Sequence, residues 1–212
     1  MAKKERKITP AEKARNEIFL SVSDKMAENG FKRTDLTIGA VKANVLSLVV
    51  MLPFALAALI IFFAVNPVDG LETSSNLKKY LLLLLGMIIL AVIHEGIHGL
   101  VWGAFAEGHF KAIQFGVIWS VLTPYCACCS LLKRWQYVLG SAMPTIVVGF
   151  GLAAVSTALA DPLMFALAEL MIFGGGGDFI IICKTLAYKS GGGELWFYDH
   201  HYECGVAVFE KQ

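Results

Sequence analysis

Charged residues are scarce in this sequence. Asp, Glu, Lys and Arg make up 17% of the 212 residues, whereas 57% are hydrophobic and the mean hydropathy is +0.64. Soluble globular domains are usually about 25% charged and 45–50% apolar. The composition therefore excludes a large soluble domain and indicates an integral membrane protein. The net charge is only +1, and we expect no nucleic-acid partner.

The sequence also has few cysteines and no recognisable secretory signal. The chain has five cysteines, an odd number, and three of them lie together as Cys126, Cys128 and Cys129. The first 40 residues contain no secretory signal, so we expect a reducing compartment and no disulfide framework. The clustered thiols would suit a second zinc ion, but buried unreactive cysteines are the commoner case.

Long apolar runs fill most of the chain. Four of them are long enough to cross a bilayer, and they comprise residues 44–65, 80–105, 136–160 and 162–183. Residues 113–121 alternate between apolar and polar, which is typical of a strand. We expect a hairpin or re-entrant segment there, with a further span as the alternative. The glycines of Gly174–Gly177 are expected to break the fourth span.

The predicted fold is an all-α integral membrane protein of about four transmembrane helices, with a short extended or re-entrant hairpin and an N-terminal amphipathic helix. Residues 1–42 form the cytosolic amphipathic segment, residues 43–188 the membrane-embedded core and residues 189–212 a cytosolic tail. Ten of the 18 Lys and Arg precede Asn44. The distribution of basic residues along the chain places both termini in the cytosol, on the inner side of the cell membrane.

The second predicted span contains the motif His94-Glu95-Gly96-Ile97-His98. Histidines four residues apart lie on one face of a helix, about 6 Å apart along its axis. Both imidazoles can therefore reach one tetrahedral zinc ion, and Glu95 is placed to accept a proton from water.

The predicted spans contain no Lys or Arg, although they contain Glu95, Glu169 and Asp178. Each ionised group near the middle of a membrane costs about 2.5–3.5 kcal/mol. Without a basic partner, these carboxylates must be protonated, hydrated or compensated by a bound cation. Zinc held by two neutral imidazoles and one carboxylate provides that compensation.

A third zinc ligand is needed, because a catalytic zinc usually has three protein ligands. Asp178 is the first candidate, since the glycine run would let its backbone bend toward the second span, and Glu169 is the alternative. His109 is expected at the membrane interface. His200 and His201 are expected in solvent.

These residues resemble those of intramembrane metalloproteases. The zinc motif inside a span, Ser141-Ala142-Met143-Pro144 in a following span and an Asp beside glycines are similar to the site-2-protease type. The closer similarity, over roughly residues 35–210, is to the small bacterial membrane proteins called putative zincin peptidases. The stretches that carry it are His94–Gly99, Thr123–Cys126, Gly177-Asp178, and Asp199-His200 with Gly205. The resemblance implies that His94, His98 and Asp178 bind zinc and that Glu95 is the general base.

We therefore expect a membrane-embedded zinc endopeptidase that acts on protein or peptide substrates in or near the bilayer. The stretch 113–121 would present an edge to which an unwound substrate adds as a strand. The alternative function is a metal transporter or metal-sensing membrane protein that uses the same histidines and carboxylate. A peptidase for prenylated proteins is a third possibility.

Overall fold

The computed structural model describes residues 10–67, 76–118, 123–200 and 204–211. Its helices are α1 (Pro10–Glu28), α2 (Ala40–Val65), α3 (Leu77–Phe105), α4 (Arg134–Pro144), α5 (Leu152–Leu159), α6 (Pro162–Gly174) and α7 (Gly176–Ala187). A 3-10 turn spans His109–Ala112, and a π-helical segment spans Thr145–Gly151. The strands are β1 (Phe31–Ile38), β2 (Ile113–Ile118), β3 (Thr123–Cys128), β4 (Leu195–Asp199) and β5 (Cys204–Lys211).

Four helical stretches are long and apolar enough to cross a membrane. They are Val41–Val65, Leu77–Phe105, Arg134–Leu159 and Pro162–Ala187. They coincide with the four predicted spans, so this part of the fold prediction is confirmed. Many of their apolar side chains, such as Ile60 and Leu81, are exposed on the outside of the helices. Their basic residues lie close to the ends of the stretches, at Lys42, Lys78, Lys79, Arg134 and Lys184.

The third and fourth helical stretches both depart from regular α-helical geometry at the place where they pack against each other. The third changes from α4 to π-helical geometry directly after Pro144, whose ring nitrogen carries no hydrogen for an α-helical bond. The fourth is interrupted at Gly175, so the break expected within Gly174–Gly177 falls at one residue. A Cβ atom at Gly175 would overlap the side chain of Thr145, so glycine permits this close approach. The helix that starts after the break carries Asp178 in its first turn.

The two ends of the chain form one antiparallel sheet, in the strand order β1-β5-β4. Phe31 of β1 pairs with Lys211 of β5, and Ile38 pairs with Cys204. Helix α1 covers this sheet through the buried side chains of Phe19 and Met26. Because β1 precedes the first long helix and β5 follows the last one, their pairing puts these two strands on the same side of the four helical stretches.

This sheet corrects the predicted all-α fold. The amphipathic helix is found, and it ends at Glu28, just before Gly30 with its φ of +80°. The strand β1 was not predicted, because its polar sequence gives little local signal and its partner strand lies near the other end of the chain. The domain boundaries after residues 42 and 188 stay a prediction.

The expected hairpin is confirmed as β2 and β3, in which Ile113 lies opposite Cys128. No further helix is found among the described residues of this region, and residues 119–122 lie outside them. The hairpin packs on α3. A Cβ atom at Gly99 would lie 2.6 Å from Phe115, and one at Gly103 would lie 2.5 Å from Phe110. These glycines therefore make room for the hairpin and the 3-10 turn.

Candidate metal centre

Three side chains from two helices converge on one point. His94 and His98 lie one turn apart on α3, and Asp178 reaches them from the start of α7. The Oδ2 atom of Asp178 lies 3.2 Å from Nε2 of His94 and 3.4 Å from Nε2 of His98. One ligand atom from each residue lies within 4.8 Å of the other two. The structure thus brings together the two motif histidines and the first candidate for the third ligand.

His98 is held in an orientation that suits metal binding. Its Nδ1 lies 2.8 Å from the backbone oxygen of Gly140, so Nδ1–H donates to that carbonyl and Nε2 keeps its lone pair toward Asp178. Protein metal sites commonly fix the tautomer of a histidine ligand in this way. The ring also stacks on Trp102, with centroids 4.8 Å apart and an interplanar angle of 16°.

A divalent cation would balance the charges around the site. Glu95 and Asp178 are the two carboxylates here, and the ion pairs of Asp178 within the described residues are those with His94 and His98. No described Lys or Arg pairs with Asp178. Two neutral imidazoles, one carboxylate and a nearby second carboxylate match the donor set and charge that zinc takes in catalytic sites. The residues present therefore fit a zinc ion.

Glu95 lies between the histidines and the hairpin. The N–H of Cys129 donates to the carbonyl of Ala112 at 2.8 Å, so that pair is hydrogen-bonded across the hairpin. Bonded and non-bonded pairs alternate in an antiparallel ladder, and the backbone groups of Cys126 and Cys128 therefore point away from β2. The Cys126 N–H accordingly faces the Glu95 carboxylate. The proposed base therefore lies at the outer edge of β3.

Glu169 is not part of this cluster. It lies on α6, before the helix break, and its Oε1 atom is buried without a hydrogen-bond partner among the described residues. The break at Gly175 separates it from the start of α7, where Asp178 meets the histidines.

Among the described residues, one group of at least three potential metal ligands is found, and it consists of His94, His98 and Asp178. The clustered cysteines belong to no such group in this part of the chain. Burial raises the pKa values of Cys126, Cys128 and Cys129, which favours neutral thiols.

The remaining histidines lie outside the cluster. His109 is exposed in the 3-10 turn, the His200 ring lies 5.7 Å from that of Phe19, and His201 is outside the described residues.

Gly140 makes room for Trp102, the aromatic neighbour of His98. A Cβ atom there would overlap the indole of Trp102, which is buried against His98. We expect Gly140→Ala to destabilise the protein by about 1–3 kcal/mol through overpacking and to loosen metal binding. Gly174→Ala is the control, because a Cβ atom there meets nothing within 4 Å. Thermal unfolding in detergent, with zinc content, tests both variants; a Gly140→Ala protein as stable as Gly174→Ala would contradict this packing.

Two further residues near the site, Tyr137 and Asp199, were not predicted to act there. The Tyr137 hydroxyl donates to Oδ1 of Asp199 at 3.1 Å, and the Cys128 N–H faces the same carboxylate. The only sequence signal was Asp199 itself, within the tail stretch that resembles the peptidase family. Its link to the core depends on the sheet, which the sequence did not predict.

Asp199 makes the stability of the fold depend on pH. Burial raises its pKa from 3.8 to about 6, and the hydrogen bond from Tyr137 only partly offsets this. The folded state therefore holds a proton that the unfolded state releases between about pH 4 and 6. Stability is expected to fall as the pH rises through this window, by up to about 3 kcal/mol. Asp199→Asn should flatten this dependence in thermal unfolding at pH 4.5 and 7; an unchanged slope would contradict it.

Two histidines and a carboxylate around one point, with a glutamate beside them, form a group that could hold a metal ion. The family model described as putative zincin peptidase matches residues 87–191. The resemblance to the putative zincin peptidases is therefore confirmed over a segment that includes both histidines, Glu95 and Asp178, and it supports a zinc metallopeptidase. Neither the curated proteins nor the solved structures contain a match to this chain.

Proposed function

We propose that this protein is a membrane-embedded, zinc-dependent endopeptidase that hydrolyses peptide bonds in membrane or membrane-proximal substrates. One observation carries the proposal: His94, His98 and Asp178 converge beside Glu95 within the segment that matches a zinc peptidase family. Peptide hydrolysis needs an electrophilic metal, a general base and access for an extended chain. The described residues include groups suited to each of these roles.

The membrane setting is supported by the four long apolar helices and by their exposed apolar side chains. Water would make such a surface costly, whereas lipid would not. We place the protein in the cell membrane with both termini in the cytosol. The pairing of β1 with β5 is consistent with this orientation, since it requires both termini on one side.

The proposed chemistry assigns each residue one task. His94, His98 and Asp178 would hold the zinc ion, which when bound supplies Lewis-acid chemistry that activates water and polarises the scissile carbonyl. Glu95 accepts a proton from the attacking water and passes it to the leaving amine. The carbonyl of Gly140 keeps Nε2 of His98 directed at the site.

The substrate is proposed to lie in extended form beside the β2–β3 hairpin. A helical substrate must unwind first, because its carbonyls are engaged within the helix. Within the described residues, β3 is the one strand that pairs with β2. The backbone groups of Ile113, Phe115 and Val117 point away from β3 and can pair with an added strand. This strand would hold the substrate at the hairpin, on the edge opposite Glu95, while the scissile bond lies beyond the paired residues, at the metal centre.

Removal of the metal tests this proposal. Purified protein in proteoliposomes, treated with a chelator, should lose nearly all cleavage of a quenched-fluorescent peptide library. Zinc should restore cleavage and magnesium should not, because imidazole ligands favour zinc over magnesium. Cleavage that persists without zinc would contradict the proposal. Zinc flux across the vesicles that survives Glu95→Gln but not His94→Ala would instead establish the transporter alternative.

A further inference from the structure

A stack of buried aromatic rings extends from the metal centre to the terminal sheet. His98 stacks on Trp102, Trp102 on Tyr137 with centroids 5.5 Å apart, and Tyr137 on Phe197 of β4 with centroids 6.5 Å apart. The interplanar angles are all below 30°. Trp102, Tyr137 and Phe197 are at most 3% exposed. A shift of one ring in such a close-packed stack must be transmitted to the next.

Hydrogen bonds fix this stack at each step. The Nδ1–H of His98 donates to Gly140, the indole N–H of Trp102 donates to the carbonyl of Tyr137 at 3.2 Å, and the Tyr137 hydroxyl donates to Asp199. Asp199 is thus the last residue in a series of stacked and hydrogen-bonded side chains that begins at His98, a proposed zinc ligand.

The same carboxylate also lies beside the hairpin. The Cys128 N–H faces Asp199, and two residues earlier the Cys126 N–H faces Glu95. Both N–H groups lie on the outer edge of β3. That edge is therefore next to Asp199 at one point and next to Glu95, on α3, at the other.

We propose that Asp199 is a positioning residue for the metal centre: through Tyr137 and Trp102 it sets His98, and through β3 it sets Glu95. This inference rests on the proposed function. Asp199 lies on β4, outside the segment 87–191 that matches the family model. The terminal sheet is accordingly part of the catalytic unit, because it supplies the carboxylate that orients a ligand and the base.

The test uses the full-length protein in detergent, loaded with Co²⁺ alone, whose visible spectrum reports ligand geometry. Asp199→Ala and Tyr137→Phe should each alter the cobalt bands. Each should also increase the rate of metal release to a chelator on the order of tenfold. This is the lower end of the range found when residues that orient metal ligands are mutated. Asp199→Asn keeps an acceptor for the Tyr137 hydroxyl and should stay close to wild type. The double variant Asp199→Ala/Tyr137→Phe should be no worse than Asp199→Ala alone, because the hydrogen bond that Tyr137→Phe removes is already lost in Asp199→Ala.

Asp161→Ala is the matched control. Asp161 caps the N-terminus of α6 by accepting from the N–H groups of Leu163 and Met164. Its loss should lower stability by about 1 kcal/mol without changing the cobalt spectrum. Spectra and release rates of Asp199→Ala and Tyr137→Phe that match those of Asp161→Ala would overturn the positioning role alone. If Asp199→Ala does not fold, Tyr137→Phe decides the question by itself. A wild-type protein that takes up no cobalt would overturn both this role and the proposed metal centre.

Discussion

Glu95→Gln is expected to abolish peptide hydrolysis while zinc stays bound. Glutamine has nearly the same shape as glutamate, but it cannot accept a proton from water. General acid–base catalysis contributes about 10²–10⁴-fold, so kcat should fall by that factor. The measurement is cleavage of a peptide library in proteoliposomes, together with the zinc content per chain.

Glu169→Gln is the matched control, because it makes the same chemical change at another carboxyl group within the four helical stretches. Since Glu169 lies outside the His94, His98 and Asp178 cluster, this variant should cleave peptides at the wild-type rate. Undiminished cleavage by Glu95→Gln would contradict the assigned base. Loss of zinc from Glu95→Gln would instead indicate that Glu95 is a ligand.

Asp178→Ala is expected to lose the metal itself. The substitution removes one of three proposed ligands and leaves two imidazoles with Glu95, the proposed base, as the remaining carboxylate at the site. Mutation of residues that only orient a metal ligand already lowers metal affinity by about 10–100-fold. Loss of a ligand itself should therefore weaken zinc binding by at least about 100-fold. Equilibrium competition with a chromophoric chelator measures this change.

Glu169→Ala decides between the two carboxylates that the sequence left open. It should bind zinc with wild-type affinity, because Glu169 lies on α6 before the helix break. The reverse outcome, with zinc lost from Glu169→Ala and retained by Asp178→Ala, would require a different arrangement of α6 and α7.

The parts of this structure that could be predicted from sequence are those with a local signal. The long apolar runs predicted the four helical stretches, the alternation after Ile113 predicted the hairpin, and the spacing of His94 and His98 predicted a shared face. The glycine run predicted the interruption now found at Gly175. Each of these depends on residues that are close in sequence, where helix and strand periodicity apply.

The remaining features depend on contacts between distant parts of the chain. Gly140 gives no sign in sequence that its carbonyl meets His98, and Gly99 gives none that it contacts the hairpin. The terminal sheet joins β1 to a strand near the other end of the chain, so its polar sequence was mistaken for part of a purely helical fold. The involvement of Tyr137 was missed for the same reason.

The central claim is a single zinc ion held by His94, His98 and Asp178, and X-ray absorption at the zinc edge of the purified protein tests it most directly. We predict a spectrum with nitrogen and oxygen neighbours at about 2.0–2.2 Å, the multiple-scattering signature of two imidazoles and no sulfur. Asp178→Ala should remove this spectrum, and Glu169→Ala should preserve it. A sulfur shell near 2.3 Å would place the metal at the cysteines and contradict the account.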